Sequence, residues 1–316
     1  EFGEFPFATF WGPMAGKHSP AGKPEAASEW IADASKWIEQ QKQPVLNLVY
    51  LPHLDYNLQR LGPAHPDIAN DLQRIDRIVG ELIDFFEGRD VQVVLLSEYG
   101  VTPVDQPIHL NRIFRERGWL AIKEEFGLER LDCGNSRAFA VADHQVAHVY
   151  LNDTSLENEV RALLERTDGV ASVWGQVEKR ANGIDHSRAG DLIVTSAENA
   201  WFTYYYWLDD TVAPDFARCV DIHRKPGFDP VELFKHSVHG SKARVMFKLL
   251  KKKLGFRMLM DVVPLDASLV KGSHGCRPRD HADWPILISK SNSLNSDTQL
   301  DSTEVYGVLR SHVLGA

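Results

Sequence analysis

The 316-residue chain is 43% hydrophobic and 25% charged, enough for one large α/β domain or two ordinary ones, and this excludes disorder over most of its length. With 35 Lys and Arg against 44 Asp and Glu, the net charge of -9 excludes a nucleic-acid polymer or an anionic membrane surface as the main partner. No apolar run approaches the roughly 18 residues that span a bilayer, and the scattered Cys133, Cys219 and Cys276 form no disulfide framework, which favours a reducing, cytoplasmic compartment.

Residues 1–27 are rich in Phe, Gly, Pro and Ala without periodicity and read as an irregular arm. A helix over 28–40 starts at a Ser28 cap and carries Trp30, Ile31, Ala34, Trp37 and Ile38 on one face. Strand 45–51 follows, then an amphipathic helix over 67–87, then strand 91–96, parallel to the first through a right-handed crossover. A helix near 108–117 leads to a strand at 119–122. Residues 136–142 and 145–151 alternate and form a hairpin that turns at Asp143-His144. After these come a helix at 156–166, strands at 170–174 and 191–195, and an aromatic segment, Trp201 to Trp207, that reads as core before it reads as a substrate slot. A basic helix over 242–253, a polar loop at 290–300 following a strand at 284–289, and a helix over 302–314 complete the chain. The expected division is 1–123, core with an N-terminal arm; 124–260, mixed with cap elements; and 261–316, a final core segment.

Three apolar stretches end in polar residues: Val45 to Tyr56, Val91-Gln-Val-Val-Leu-Leu-Ser-Glu-Tyr-Gly100, and Ser268 to Gly275. Loops at the carboxyl ends of strands converge side chains on one crevice. If these three meet, Asp55, Glu98 and His274 gather oxygen and imidazole donors suited to a divalent metal. A strand running through residue 55 would place His53 on the same side as Asp55, so that both grip one ion; a helical turn would place Gln59 beside Asp55 instead. On spacing alone, Asp55 serves as readily to cap a turn over a packed His53. Glycines on both sides of His274 let the backbone approach an ion closely. Neither a dinucleotide fingerprint nor a phosphate loop nor a Gly-x-Ser-x-Gly elbow is present.

Taken in order, Asp55 with Gly62-Pro63, Ser97-Glu-Tyr-Gly100 and Gly272-Ser-His-Gly275 resemble the motifs of the type I phosphodiesterase and nucleotide pyrophosphatase branch of the alkaline phosphatase superfamily, over residues 40 to 315. The resemblance implies an α/β fold: a largely parallel sheet sandwiched between helices, with a smaller α+β cap inserted in the middle. It implies two metals, usually zinc, with Asp55 and His274 on the first and Glu98 on the second; the oxygen-rich set also admits Mn or Mg. Where the family has imidazoles this chain has Gln59 and Tyr99, which become substrate-binding or supporting residues, and His53 is a candidate replacement. The family's nucleophile and first metal-binding Asp precede the matched region, so the chain reads as the C-terminal two-thirds of such a protein, with its nucleophile upstream of Glu1.

The function expected is a metal-dependent hydrolase of phosphodiester, pyrophosphate or phosphomonoester bonds in small phosphorylated molecules. One alternative is a catalytically degenerate binding protein of the same fold. A second is a phosphoglycerate mutase-like isomerase, for which Arg60, Lys271 and Arg277 are the nearby cations.

Overall fold

The computed structural model describes residues 3–17, 23–235, 241–256, 258–290 and 299–314. The irregular arm contains one short helix, α1 (Phe7–Phe10). Helix α2 (Ala26–Lys42) begins two residues before the expected Ser28 cap, and Gln43 ends it in the left-handed region at φ 47. Next come α3 (His53–Leu61) and α4 (Ile68–Glu87), the latter within one residue of the span its periodicity predicts. Ala32 of α2 and Ile78, Leu82 and Phe86 of α4 close a small core over Val49, Leu51, Val91 and Val93.

The first strand differs from expectation. Residues 45–51 join no ladder among the described residues, and the chain turns helical at His53, directly after Pro52. Proline has a fixed φ and no N–H, so it sits comfortably at a helix start, and here it ends the extended run. Strand β1 (Val94–Leu96) therefore does not pair with 45–51; it pairs antiparallel with residues 287–289. One face of this layer packs on the small core. Leu48, Tyr50, Leu96, Ile286 and Ile288 nearby in the chain are exposed.

Strands β2 (Thr102–Pro103) and β3 (Gln106–Ile108) precede α5 (Leu110–Glu116). The strand expected at 119–122 lies slightly later, as the hairpin β4 (Ile122–Glu125) and β5 (Leu128–Leu131), with Phe126 and Gly127 both at positive φ in its turn. The alternating segments form β6 (Ala138–Asp143) and β7 (Val146–Leu151). Asp143 pairs with Val146, so the two-residue turn is His144-Gln145, one step beyond the predicted position. After α6 (Glu157–Leu164) come β8 (Val170–Trp174), α7 (Gln176–Ala181), β9 (Leu192–Ser196) and β10 (Ala200–Phe202). The sheet β6-β7-β9-β8 is antiparallel throughout; among the described residues β10 with β3 is the parallel pair.

Helix α8 (Ser241–Lys253), β11 (Gly272–Ser273), β12 (Leu287–Ser289) and α9 (Val305–Leu314) complete the order. Most of the polar loop predicted at 290–300 lies outside the described residues. The aromatic segment is core, as weighed: Trp201, Tyr204, Tyr205, Tyr206 and Trp207 are all buried. The same cluster takes Val104 and Leu120 on one side and Val263 and Val270 on the other, so it packs across the expected boundaries near 123 and 260. The three cysteines are free. Among the described residues no helix is long and apolar enough to cross a membrane.

Candidate functional site

Helix α3 divides the residues singled out from the sequence between its two sides. Positions four apart share a face, and Gln59 Nε2 donates to Asp55 Oδ2 at 2.6 Å. Positions two apart do not. His53 is therefore not brought to the Asp55 side, as a strand through residue 55 would have required. Its Nε2 lies 3.4 Å from Asp71 Oδ1 of α4, with both side chains buried. Asn57 Nδ2 donates to the other Asp71 oxygen at 2.6 Å, and Arg74 Nη1 reaches Oδ1 at 3.0 Å. Burial pushes the Asp71 carboxyl up, but these hydrogen bonds and the charges of His53 and Arg74 outweigh it and hold the group below its usual value. His53 is thus a packing partner for α4.

The third tip is locked to the first through the main chain. Lys271 N donates to Gln59 O at 2.8 Å, and Val104 N donates to Lys271 O at 3.0 Å. Gly272 approaches α3 so closely that a Cβ there would lie 2.1 Å from the Leu58 carbonyl oxygen. Strand β11 pairs Ser273 with Thr102 of β2, placing His274 one residue beyond the ladder. Gly272→Ala is expected to cost about 1–3 kcal/mol, because backbone faces backbone and cannot yield cheaply. Urea denaturation checks this, and an unchanged midpoint would show that the contact is slack.

The three ends meet at Tyr99. Its hydroxyl donates to Asp55 Oδ1 at 3.3 Å, and its ring stacks on His274 with centroids 3.6 Å apart and planes 5° from parallel. Burial raises the Asp55 carboxyl, the charge of Glu98 adds to this, and the hydrogen bonds from Gln59 and Tyr99 oppose it. The Tyr99 phenol is driven far up, first by burial and then by Asp55 and Tyr50. Tyr50, more than half exposed, is raised by the partial burial of its phenol and by the charges of Asp55 and Glu98. Glu98 itself is exposed at the strand end, close enough for its charge to be felt at Asp55. Burial lowers His274 to about 4, so its imidazole is neutral at pH 7 with a lone pair available. The cations weighed for an isomerase point elsewhere: Arg60 to Ala15 O and Asn57, Lys271 to Ser268 O, and Arg277 over the Trp284 ring.

Asp55 is only partly buried, accepts from Gln59 and Tyr99, and forms no ion pair among the described residues. Gln59 Oε1 is buried and finds no hydrogen-bond partner among them. A desolvated carboxylate, an orphaned amide oxygen and a neutral imidazole around one phenol suit one hard divalent cation. Among the described residues no three His, Cys, Asp or Glu side chains come together to hold an ion.

The site also uses two residues that the sequence offered only as a turn and a strand start. His144 packs its ring on His274, centroids 3.9 Å apart. The fully buried Gln145 donates through Nε2 to Thr102 Oγ1, Glu198 O and Ala200 O at 3.1, 2.9 and 3.1 Å, and accepts from Cys276 N at 3.3 Å.

Among families of known proteins, the profile described as type I phosphodiesterase / nucleotide pyrophosphatase matches residues 17–229. The chain is similar to an uncharacterized pyrophosphatase/phosphodiesterase of Schizosaccharomyces pombe, with 26% identity over 98 residues, covering 27% of this chain and 20% of that protein. Similar solved structures include an inactive form of murine ectonucleotide pyrophosphatase / phosphodiesterase 5 in complex with AMP, at 15% identity and a TM-score of 0.49, covering 91% of this chain and 58% of that one. They also include phosphonoacetate hydrolase from Sinorhizobium meliloti in complex with phosphonoacetate, at 21% identity and a TM-score of 0.40, covering 56% and 43%. The chain thus spans less than two thirds of the length of each of these relatives.

Proposed function

The chain belongs to the type I phosphodiesterase / nucleotide pyrophosphatase family, and from that premise we propose that it carries the cation-holding half of a hydrolase of small phosphorylated molecules. The bond cleaved is a phosphodiester, pyrophosphate or phosphomonoester. The observation that carries this reading is the meeting of Asp55, Tyr99 and His274 around a half-buried carboxylate without an ion pair among the described residues. Asp55, His274 and the amide oxygen of Gln59 would hold one divalent cation, with Glu98 as a further carboxylate at the rim. When bound, such an ion polarises a phosphoryl oxygen and favours attack at phosphorus. The neutral His274 ring supplies a lone pair without having to lose a proton. The Tyr99 phenol, held protonated, donates to whichever oxygen faces it, Asp55 now or a phosphoryl oxygen when substrate enters. No residue of this chain is assigned the role of nucleophile. The same reading carries the family's architecture, a largely parallel sheet between helical layers, with cap elements within the mixed segment 124–260.

Hydrolysis of bis-p-nitrophenyl phosphate and of a dinucleoside pyrophosphate, followed with added Mn²⁺ and after EDTA, tests this reading. Activity that EDTA removes and that His274→Ala lowers by at least about 100-fold is the expected result. Turnover insensitive to both would overturn it.

A second reading has its own observation. Gln59 and Tyr99 already satisfy both Asp55 oxygens, which leaves the carboxylate occupied and fits a protein that binds a ligand without turning it over. Elemental analysis of purified protein separates the two, since a chain free of bound ion and inert with added Mn²⁺ is the degenerate binder.

A further inference from the structure

The arm before α2, the side of α3 that carries Asn57 and Arg60, and the first turns of α4 line a cavity of about 440 Å³. Small-molecule sites commonly run from roughly 300 to 1,000 Å³. Around it stand three cations, Lys17, Arg60 and Arg74, and two carboxylates, Asp67 and Asp71. Asp71 is already engaged: Arg74 reaches one of its oxygens at 3.0 Å, and Asn57 donates to the other at 2.6 Å. Asp67 is exposed at the start of α4, 3.9 Å from the His65 ring nitrogen.

Arg60 and Lys17 have no such partners. Arg60 is 4% exposed, and every acceptor that holds its guanidinium is neutral. Nε and Nη2 donate to Asn57 Oδ1 at 3.1 and 2.7 Å, Nη2 also donates to Ala15 O, and Nη1 donates to Leu233 O at 3.4 Å. Nη1 has a second N–H, which meets no acceptor among the described residues. The exposed Lys17 follows Gly16, where a Cβ would lie 3.2 Å from Arg60 Nη2, and it forms no ion pair among the described residues. The neighbouring stretches of sequence, 18–22 and 236–240, contain neither Asp nor Glu. Partial burial and the charge of Arg60 bring the Lys17 amine down to about 8, and burial brings Arg60 down to about 10 against the pull of Asp71. The fold thus desolvates two adjacent positive charges without neutralising either, and such charges are ordinarily met by an anion.

We propose that this cavity is a phosphate-binding site, in which Arg60 and Lys17 together hold the phosphate group of a small molecule or the free ion. A phosphate near charge −2 answers both cations, and its several oxygens can accept from guanidinium and ammonium at once. The site lies across α3 from Asp55 and Gln59, and its occupancy needs no cation at the Asp55 junction.

The test titrates the full chain with inorganic phosphate by calorimetry, in EDTA and at fixed ionic strength, so that no metal ion near Asp55 can hold the anion. Saturable binding of phosphate, and none of acetate, is the expected result. Lys17→Ala is expected to weaken phosphate at least about tenfold, the scale of a charged hydrogen bond, with its melting temperature held because the side chain is exposed. Lys17→Arg keeps the charge and is expected to lose less. Lys123→Ala removes the same charge from the β4–β5 hairpin and is expected to leave the affinity unchanged. Titration with AMP separates the two sources of the phosphate. Binding as tight as that of phosphate assigns the site to a phosphorylated small molecule, and exclusion of AMP assigns it to the free ion; either upholds the site. No binding at millimolar phosphate, equal binding of acetate, unchanged affinity in Lys17→Ala, or an equal loss in Lys123→Ala overturns the proposal.

Discussion

Asp55→Asn is expected to abolish measurable Mn²⁺ binding, a loss of at least about 100-fold in affinity, while leaving the metal-free protein as stable as wild type or more so. The two effects have one cause. Asp55 is a desolvated carboxyl without an ion pair, so ionising it in the folded chain is unfavourable, and its folded-state value stands above that of the unfolded chain. A group raised in this way contributes stability that is fully present below its unfolded value, near 3.8, and is lost as pH rises through the raised folded value. Metal-free wild type therefore loses the Asp55 contribution on the way to neutral pH, and the asparagine variant does not. Asp71 runs the other way: its depressed carboxyl contributes stability above the unfolded value that is lost as pH falls through the folded one. Melting curves with EDTA at several pH values check the prediction, through the difference between wild type and Asp55→Asn. A variant less stable than wild type at neutral pH would show that the carboxylate is already compensated.

Gln145→Leu is expected to be the most destabilising of the conservative-volume substitutions around the site, by more than about 3 kcal/mol. The leucine fills the space but leaves Thr102 Oγ1, the carbonyl oxygens of Glu198 and Ala200, and the N–H of Cys276 without the amide that now joins them. Each unsatisfied buried polar group costs about 1–3 kcal/mol. Because this amide ties the antiparallel sheet to the loop after β11, the variant is also expected to release His274. Urea denaturation gives the stability, and a midpoint within error of wild type would mean that water takes over the amide's role.

What the sequence disclosed and what it withheld divide along physical lines. The β6–β7 hairpin was legible because alternation marks a half-buried strand pair, and α4 because its apolar residues repeat at helical spacing over twenty residues. Helix α3 was not. Leu51-Pro-His-Leu-Asp reads as the end of an extended run, and the proline that starts the helix looks equally like a loop breaker. That one misplacement decided the fate of His53, sent toward Asp71 by a geometry in which alternate residues part. The Asp55–Gln59 contact was the alternative already open on spacing, and the structure takes it. The meeting of the three segments was visible as three apolar runs stopping at polar residues, although the first of them turns helical at His53. That Tyr99 joins two of them could not be read from the sequence, because stacking on His274 depends on residues 175 positions apart in the chain. His144 and Gln145 carry no motif at all. Their part follows from where a two-residue turn places them after the sheet has formed.

The most direct test of the whole account is anomalous diffraction from a crystal of the full chain soaked in Mn²⁺. A single peak bonded to Asp55 and His274, with the Gln59 amide oxygen turned toward it, is the predicted result. A peak at other residues, or an intact Asp55–Tyr99–His274 arrangement with no peak at millimolar Mn²⁺, would contradict it.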